Sequence, residues 1–307
     1  MINKVQIRRN LVEVAYKFGF GKGGFRNAEQ LAKRTAEAIA QGKPLSIGRL
    51  GINEINGAIM FSEDSHPWWV TYEPENIPRN LNVNVGLYPW DDDFYRQWSK
   101  AYLEVNRKCD FFAVYLNVNE LYYFRRYLKS GFEMSRSWLI HPMLQGMNWM
   151  TACEGKRILV VSPNIGTVEK QLSQKKEIWS KTEFDLPDAE YLYIKPPFSP
   201  TIDPGNKTES WFDELERMQA EMDAMDFDVA LIAAGGYANF LTAHAKKKGK
   251  VGLNMGGALD PLFGIKTKRY IGGNNAMPES LMNEHWVTPS DKDKPEGASR
   301  IEGGCYW

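Results

Sequence analysis

The chain has 307 residues, of which 43% are hydrophobic, so it has enough apolar side chains for a substantial core and is not a disordered chain. Its 38 Lys and Arg residues balance 38 Asp and Glu residues, and this zero net charge gives no support for a broad electrostatic grip on DNA or on an anionic membrane. The three cysteines lie far apart with no CxxC pair, which argues against a disulfide framework or a zinc–thiolate site and favours a reducing cytoplasm. We expect no membrane span, because no apolar run approaches ~18–20 residues and the N-terminus lacks a signal-peptide core.

Helical and strand patterns alternate along the chain. This order predicts an α/β fold with a Rossmann-like, mainly parallel sheet and helices on both faces. Between His66 and Pro89 the chain is rich in Pro, Asn and Trp, which predicts an irregular aromatic insertion with one short strand at 81–87. The predicted helices are 3–18, 27–41, 53–61, 92–107, 117–129, 164–179, 208–224 and 237–248, and the predicted strands or apolar segments are 44–48, 110–116, 137–142, 157–163, 189–197, 228–234 and 250–254.

We expect one α/β domain over residues 1–307. Its N-terminal helices lie within 1–42. The polar tail 288–307 ends in Cys-Tyr-Trp, and this aromatic end predicts that the tail packs on the body. Residues 197–208, crowded with Pro, Gly and Asn, are the best candidate for a mobile loop.

Residues 228–270 read as a buried strand, a glycine turn, a helix, a second buried strand and a second glycine turn. Gly235 and Gly236 stand where the helix begins, so a diphosphate there could accept backbone N–H bonds, with Tyr237 beside it. The alternative is a tight turn that holds no ligand. Ala234 and Asn239 stand where a GxGxxG fingerprint has glycines, which disfavours NAD or FAD.

The second glycine turn, NMGGALD at 254–260, contains a candidate ligand-binding aspartate and is followed by a basic run. Gly256 and Gly257 permit close approach of the backbone to a ligand, and Asp260 could bind a divalent cation or a hydroxyl. The alternative for Asp260 is a loop aspartate that caps the next turn. The basic run that follows would usually be a solvated face, but beside two glycine turns it could neutralise a phosphate. Its members are Lys266, Lys268 and Arg269.

The sequence SIGRLGINE at 46–54 is a second place where a predicted strand ends in a glycine-containing turn. Arg49 and Glu54 are five residues apart and flank Gly51 and Asn53 at a strand end. Glu54 could act as a general base toward an acceptor hydroxyl or ligate a metal, and Arg49 could hold that base or a phosphate. The structural alternative is an Arg–Glu ion pair that ties the turn.

A third strand end, SPNIGTVEK at 162–170, places Ser162 and Asn164 near a helix N-terminus. An N-cap turn explains these residues as well as a ligand site does. The four histidines include no i, i+4 pair, so a histidine-based zinc site is not expected. The chain contains neither a GxSxG elbow nor a GxxxxGK[ST] loop, which argues against an α/β-hydrolase and a P-loop NTPase.

Three blocks of the sequence resemble a bacterial and phage family of polysaccharide-biosynthesis glycosyltransferases of the GT-D type. SIGRLGINE resembles that family's strand followed by R-[FIL]-G-x-x-E, residues 231–270 resemble its second glycine block, and residues 283–307 resemble the C-terminal end of one branch. The resemblance implies binding of a nucleoside diphosphate sugar and a divalent cation, Mn²⁺ or Mg²⁺, at an Asp-x-Glu motif. Glu54 matches the Glu of that motif, but Ile52 stands at its Asp position, so the cation is expected either on Asp260 or Glu54 as the protein ligand or on the diphosphate alone.

These observations favour a glycosyltransferase that moves a sugar from a nucleoside diphosphate sugar, with UDP-sugars favoured, to a hydroxyl of a glycan acceptor. The expected setting is the cytoplasm of a bacterium or of a phage-infected host. A modified DNA base is a less favoured acceptor because the net charge is zero. Two alternatives remain: a non-enzymatic carbohydrate- or nucleotide-binding protein of the same fold, which Ile52 favours, and a nucleotide-dependent oxidoreductase, which the missing GxGxxG disfavours.

Overall fold

One seven-stranded parallel sheet organises the protein, with strand order β3-β2-β1-β7-β6-β4-β5. The computed structural model describes residues 12, 14–15, 26–62, 65–128, 132–136, 141–143, 148–206, 208–271 and 279–307. The strands are β1 (Leu45–Arg49), β2 (Phe111–Val114), β3 (Glu133–Arg136), β4 (Arg157–Val161), β5 (Glu190–Ile194), β6 (Val229–Ile232) and β7 (Val251–Asn254).

Helices cover both faces of this sheet. One face buries α2 (Ile52–Phe61), α4 (Asp92–Asn106), α5 (Val118–Tyr123), α8 (Trp211–Ala224) and α9 (Ala238–Lys247). The other face buries α1 (Ala28–Ala40), α6 (Ile165–Leu172), α7 (Lys175–Ile178) and α10 (Leu259–Leu262). The short helix α3 (Ile77–Asn80) belongs to the irregular segment before α4. The predicted α/β fold with a parallel sheet and helices on both faces is therefore confirmed.

Local sequence explains where the regular helices begin. Asn27 caps α1 through a capping box with Gln30, Asp91 accepts a hydrogen bond from the N–H of Phe94 at 2.8 Å, and Ser210 forms a capping box with Asp213. Such side chains satisfy backbone N–H groups that have no partner inside the helix. Within the described part of the chain, no helix combines the length and the apolar character needed to cross a bilayer.

Several boundaries differ from the sequence-based predictions. The strand predicted at 81–87 is wrong, because Leu81–Val85 forms a π-helix that buries Leu81, Val83 and Val85. The alternating apolar pattern there serves helical packing, and the N–H of Leu87 closes the segment by donating to the carbonyl of Leu81 at 2.9 Å. The helix predicted at 117–129 ends at Tyr123 and continues as a π-helix to Leu128, and the one at 164–179 divides into α6 and α7. Most of the predictions at 3–18 and 137–142 lie outside the described residues.

Candidate functional site

A cavity of about 760 Å³ lies at the edge of the sheet where the parallel strands end. It is lined by residues that follow β1, β2, β4, β5, β6 and β7. The chain leaves β1 toward one face of the sheet, through α2, and leaves the adjacent β7 toward the other face, through α10. Such a divergence opens a crevice at the carboxyl ends of the strands, which is where open α/β sheets bind ligands.

Glu54 lies in the first turn of α2 and curls back over its N-cap residue, Gly51. A Cβ atom on Gly51 would lie only 2.0 Å from Glu54 Oε2, so the glycine makes room for this carboxylate. Burial raises the pKa of Glu54 to about 7; a hydrogen bond from its own backbone N–H opposes this shift, nearby Glu302 adds to it and Arg49 opposes it. A carboxylate with this pKa can accept a proton efficiently near neutral pH.

Arg49 ends β1 and projects into the same cavity. Its guanidinium donates to the carbonyl of Met255 and to the hydroxyl of Tyr115, and it lies 5.3 Å from the centroid of the Tyr115 ring. The Nε of Arg49 is buried without a hydrogen-bond partner. Arg49 and Glu54 do not form a close ion pair in the described structure, since both bonded partners of the guanidinium are neutral. The guanidinium therefore keeps capacity for an anionic ligand.

Asn239, which the sequence argument noted only as a missing glycine, holds the end of β1. Its side-chain oxygen accepts from the backbone N–H of Arg49 at 3.1 Å and from Asn254 at 2.8 Å. Its amide nitrogen donates to the carbonyl of Arg49 at 2.9 Å and to Asn106 at 2.8 Å. All four hydrogen-bonding positions of the buried amide are thus filled. This network fixes the backbone from which Arg49 projects.

Asp260 and Asn164 meet across the cavity from β7 and β4. Asn164 Nδ2 donates to Asp260 Oδ1 at 3.1 Å, and the Asn164 backbone N–H donates to Ser162 Oγ at 3.0 Å. Burial raises the pKa of Asp260 to about 6, while Asn164 and Arg269 oppose the shift. Asn164 Oδ1 is buried without a partner. Ser162 is fully buried and orients Asn164 without lining the cavity itself.

The predicted glycine turns have different surroundings. Gly235 and the buried Tyr237 line the cavity, but Gly236 does not; a Cβ on Gly236 would lie 2.7 Å from Val85 Cγ1. Gly236 thus serves the close packing of the 3₁₀ turn before α9 (Gly235–Tyr237) against the 81–87 segment. Gly256 and Gly257 line the cavity and make room for the guanidiniums of Arg49 and Arg269.

The basic run after β7 contributes one residue to the cavity. Arg269 lines it, whereas Lys266 and Lys268 do not. The C-terminal segment contributes Ile301, Glu302, Tyr306 and Trp307 to the cavity wall, which sequence reasoning did not assign to the site. Asn53 also lines the cavity, one residue from Glu54.

The donor set does not fit a divalent cation held by the protein alone. Across the described ranges, no group of three or more His, Cys, Asp or Glu side chains is arranged to hold a metal. Of the two predicted ligands, Asp260 accepts a hydrogen bond from Asn164 through Oδ1, and Glu54 lies over its own N-cap residue, Gly51. Ile52, which stands where the resembled motif has Asp, is 42% exposed and supplies no oxygen ligand from its side chain.

Part of the chain that lines this site matches a known family model. Residues 207–262, which include β6, α9, β7 and the second glycine turn, match the GT-D-like family model, described as a GT-D fold-like domain. The resemblance to the GT-D type is thereby confirmed for this segment. A solved structure of domain of unknown function 1792 is similar at 12% identity with a TM-score of 0.42, covering 95% of this chain and 96% of that chain. No curated protein sequence matched the chain.

Proposed function

We propose that the protein is a glycosyltransferase that moves a sugar from a nucleoside diphosphate sugar to a hydroxyl of a glycan acceptor. The observation that carries the proposal is the Glu54 carboxylate, with its pKa raised to about 7, beside Arg49 in a cavity at the carboxyl edge of a parallel sheet. The GT-D-like match at 207–262 supports the same class of chemistry. The volume of about 760 Å³ is within the range of small-molecule sites.

In the proposed reaction, ionised Glu54 takes the proton of the acceptor hydroxyl. The acceptor oxygen forms a bond to the anomeric carbon of the donor sugar, and the bond from that carbon to the phosphate oxygen breaks. The electron pair leaves with the nucleoside diphosphate, whose growing negative charge Arg49 stabilises through charge-assisted hydrogen bonds. If Mn²⁺ or Mg²⁺ takes part, we propose that it binds to the diphosphate of the donor, and no step of this reaction depends on it.

UDP-sugars are the proposed donors, and a surface glycan under construction in the cytoplasm is the proposed acceptor. A modified DNA base stays the less favoured acceptor because the chain has zero net charge. A nucleotide-dependent oxidoreductase has little support, since Asn239 stands where the dinucleotide fingerprint has its third glycine. The side-chain amide of Asn239 forms all of its hydrogen bonds with Arg49, Asn106 and Asn254.

The test combines binding with turnover. A panel of UDP-sugars is screened by thermal shift, and release of UDP is followed for each sugar that binds, because a ligand of the native state raises the melting temperature. The expected result is UDP release by the wild type and a loss of about 100-fold or more in Glu54→Gln. Glu104→Gln, an exposed carboxylate on α4 outside the cavity, is the matched control. Binding without UDP release would favour the non-enzymatic alternative that Ile52 raised, and the absence of both would contradict the proposal.

A further inference from the structure

The guanidinium of Arg269 is neutralised by the protein's own C-terminal segment. It donates to the carboxylate of Glu302 and, at 2.8 Å, to the hydroxyl of Tyr306, and it lies 4.4 Å from the centroid of the Tyr306 ring. The three residues line the cavity. A carboxylate and a phosphate group present similar pairs of oxygens to a guanidinium. Glu302 therefore occupies a position in which Arg269 could hold a phosphate.

A second guanidinium flanks the same turn. A Cβ on Gly256 would lie 2.8 Å from Arg49 Nη1, and a Cβ on Gly257 would lie 3.4 Å from Arg269 Nη1. Because consecutive Cα atoms are about 3.8 Å apart, the two cationic groups approach one short stretch of backbone. Arg49 differs from Arg269 in that its bonded partners, Met255 and Tyr115, are neutral. Of these two guanidiniums, Arg269 has an anionic partner and Arg49 does not.

The segment that leads into Glu302 is anchored to the rest of the protein. Ile301 is buried against Val83 and Ile202, and Arg300 donates to the carbonyl of Thr201 at 2.7 Å. The backbone N–H of Glu302 donates to Asn84 Oδ1 at 3.2 Å. The Glu302 side chain is 34% exposed, so water reaches the ion pair. Rotation of this side chain can free Arg269 while the anchors stay in place.

We propose that Arg49 and Arg269 form the subsite for a diphosphate group, and that Glu302 holds the Arg269 half of this subsite until the diphosphate displaces it. The identity of the anion as the leaving group of the donor rests on the function proposed above. The exchange itself is a property of the cavity and is testable with inorganic pyrophosphate. Two guanidiniums then supply charge neutralisation that a cation would otherwise supply.

Isothermal titration calorimetry with pyrophosphate, in EDTA, tests this exchange. Glu302→Gln removes the competing charge and is expected to tighten pyrophosphate binding about fivefold, because a partly exposed ion pair contributes up to ~1 kcal/mol. Glu296→Gln makes the same charge change on the same segment outside the cavity and is expected to leave affinity unchanged. Arg269→Lys keeps the charge but loses the planar pair of donors, and is expected to weaken binding about tenfold.

Three results would overturn the proposal: pyrophosphate binds Glu302→Gln no more tightly than the wild type, Arg269→Lys binds as well as the wild type, or neither wild type nor Glu302→Gln binds pyrophosphate at millimolar concentration. A parallel titration with UDP and UDP-sugars separates this proposal from the proposed function. The expected pattern with pyrophosphate, together with no binding of any UDP-sugar, would uphold the anion subsite and contradict the glycosyltransferase. UDP release from UDP-sugars without tighter pyrophosphate binding in Glu302→Gln would do the reverse.

Discussion

Replacing Gly51 with alanine tests whether transfer depends on the position of the Glu54 carboxylate. The new Cβ would lie 2.0 Å from Glu54 Oε2, 2.6 Å from Cδ and 2.7 Å from Oε1. Oε2 must move by roughly 1.4 Å to reach an ordinary contact distance of 3.4 Å. We expect this displacement to lower the rate of UDP release about 100-fold, since a misplacement of ~1 Å can cost this much in an oriented site.

The same substitution should change stability little. Gly51 has φ −70° and ψ 147°, which alanine adopts without strain, and the atoms that must move are the end of a flexible side chain. Loss of glycine at an N-cap costs up to ~1 kcal/mol, and the stiffer unfolded chain offsets part of it. As Glu54 leaves its buried position, its pKa should fall from about 7 toward 4.5, so the pH profile of the residual activity should move to lower pH.

The assay compares UDP release, its pH profile and the melting temperature for the wild type and Gly51→Ala. Gly166→Ala is the control, because Gly166 lies in the first turn of α6 outside the cavity, and a Cβ added there would also meet a carboxylate, 3.2 Å from Asp293 Oδ1. A wild-type rate and pH profile in Gly51→Ala would refute the role given to the buried position of Glu54. Equal losses in both variants would point to a general effect of the added methyl group.

Four further outcomes follow from the site. The rate of transfer should rise with pH through about 7, the pKa of Glu54, and Glu54→Gln should remove this dependence; a rate that is flat across pH 6–8 would contradict the role of the base. Because the folded-state pKa of Glu54 is raised from 4.5, its contribution to stability is complete below pH 4.5 and is lost as pH rises through 7, so the melting temperature of the wild type should fall relative to that of Glu54→Gln over this window. Gly236→Val should lower the free energy of unfolding by ~1–3 kcal/mol through its clash with Val85, measured by urea denaturation, and an unchanged midpoint would contradict this packing role. The free protein should bind Mn²⁺ weakly in an electron paramagnetic resonance titration, and UDP should tighten that binding; tight binding without UDP would show that Glu54 and Asp260 form a metal site after all.

The sequence predicted the sheet well because its signals are local. The apolar runs at 157–163 and 228–234 contain β4 and β6, and the polar residues Asn27 and Asp91 stand at observed helix starts. The 81–87 segment misled the prediction because alternation of Leu81, Val83 and Val85 suits a strand, whereas tertiary packing against α2 and against the 3₁₀ turn before α9 selects a π-helix.

Sequence also located much of the candidate site, since residues at the ends of parallel strands converge on one edge. Arg49, Glu54 and Asp260 all line the cavity as a result. It could not assign Asn239 or Glu302, because their partners lie 190 and 33 residues away and nothing in the local pattern marks them. Contacts of this kind depend on the tertiary fold and not on spacing.

The position of β7 has a consequence for synthesis of the chain. It pairs with β1 on one side, where Leu45 faces Val251, and with β6 on the other, so it joins strands 1–3 to strands 4–6. Until residue 254 has left the ribosome, the earlier strands can form only two half-sheets with unpaired edges, which are prone to pair with other chains. Insertion of this last strand also delivers Gly256, Gly257 and Asp260 to the cavity. A nascent or truncated chain that ends before β7 would therefore be aggregation-prone and would also lack these three residues of the cavity wall.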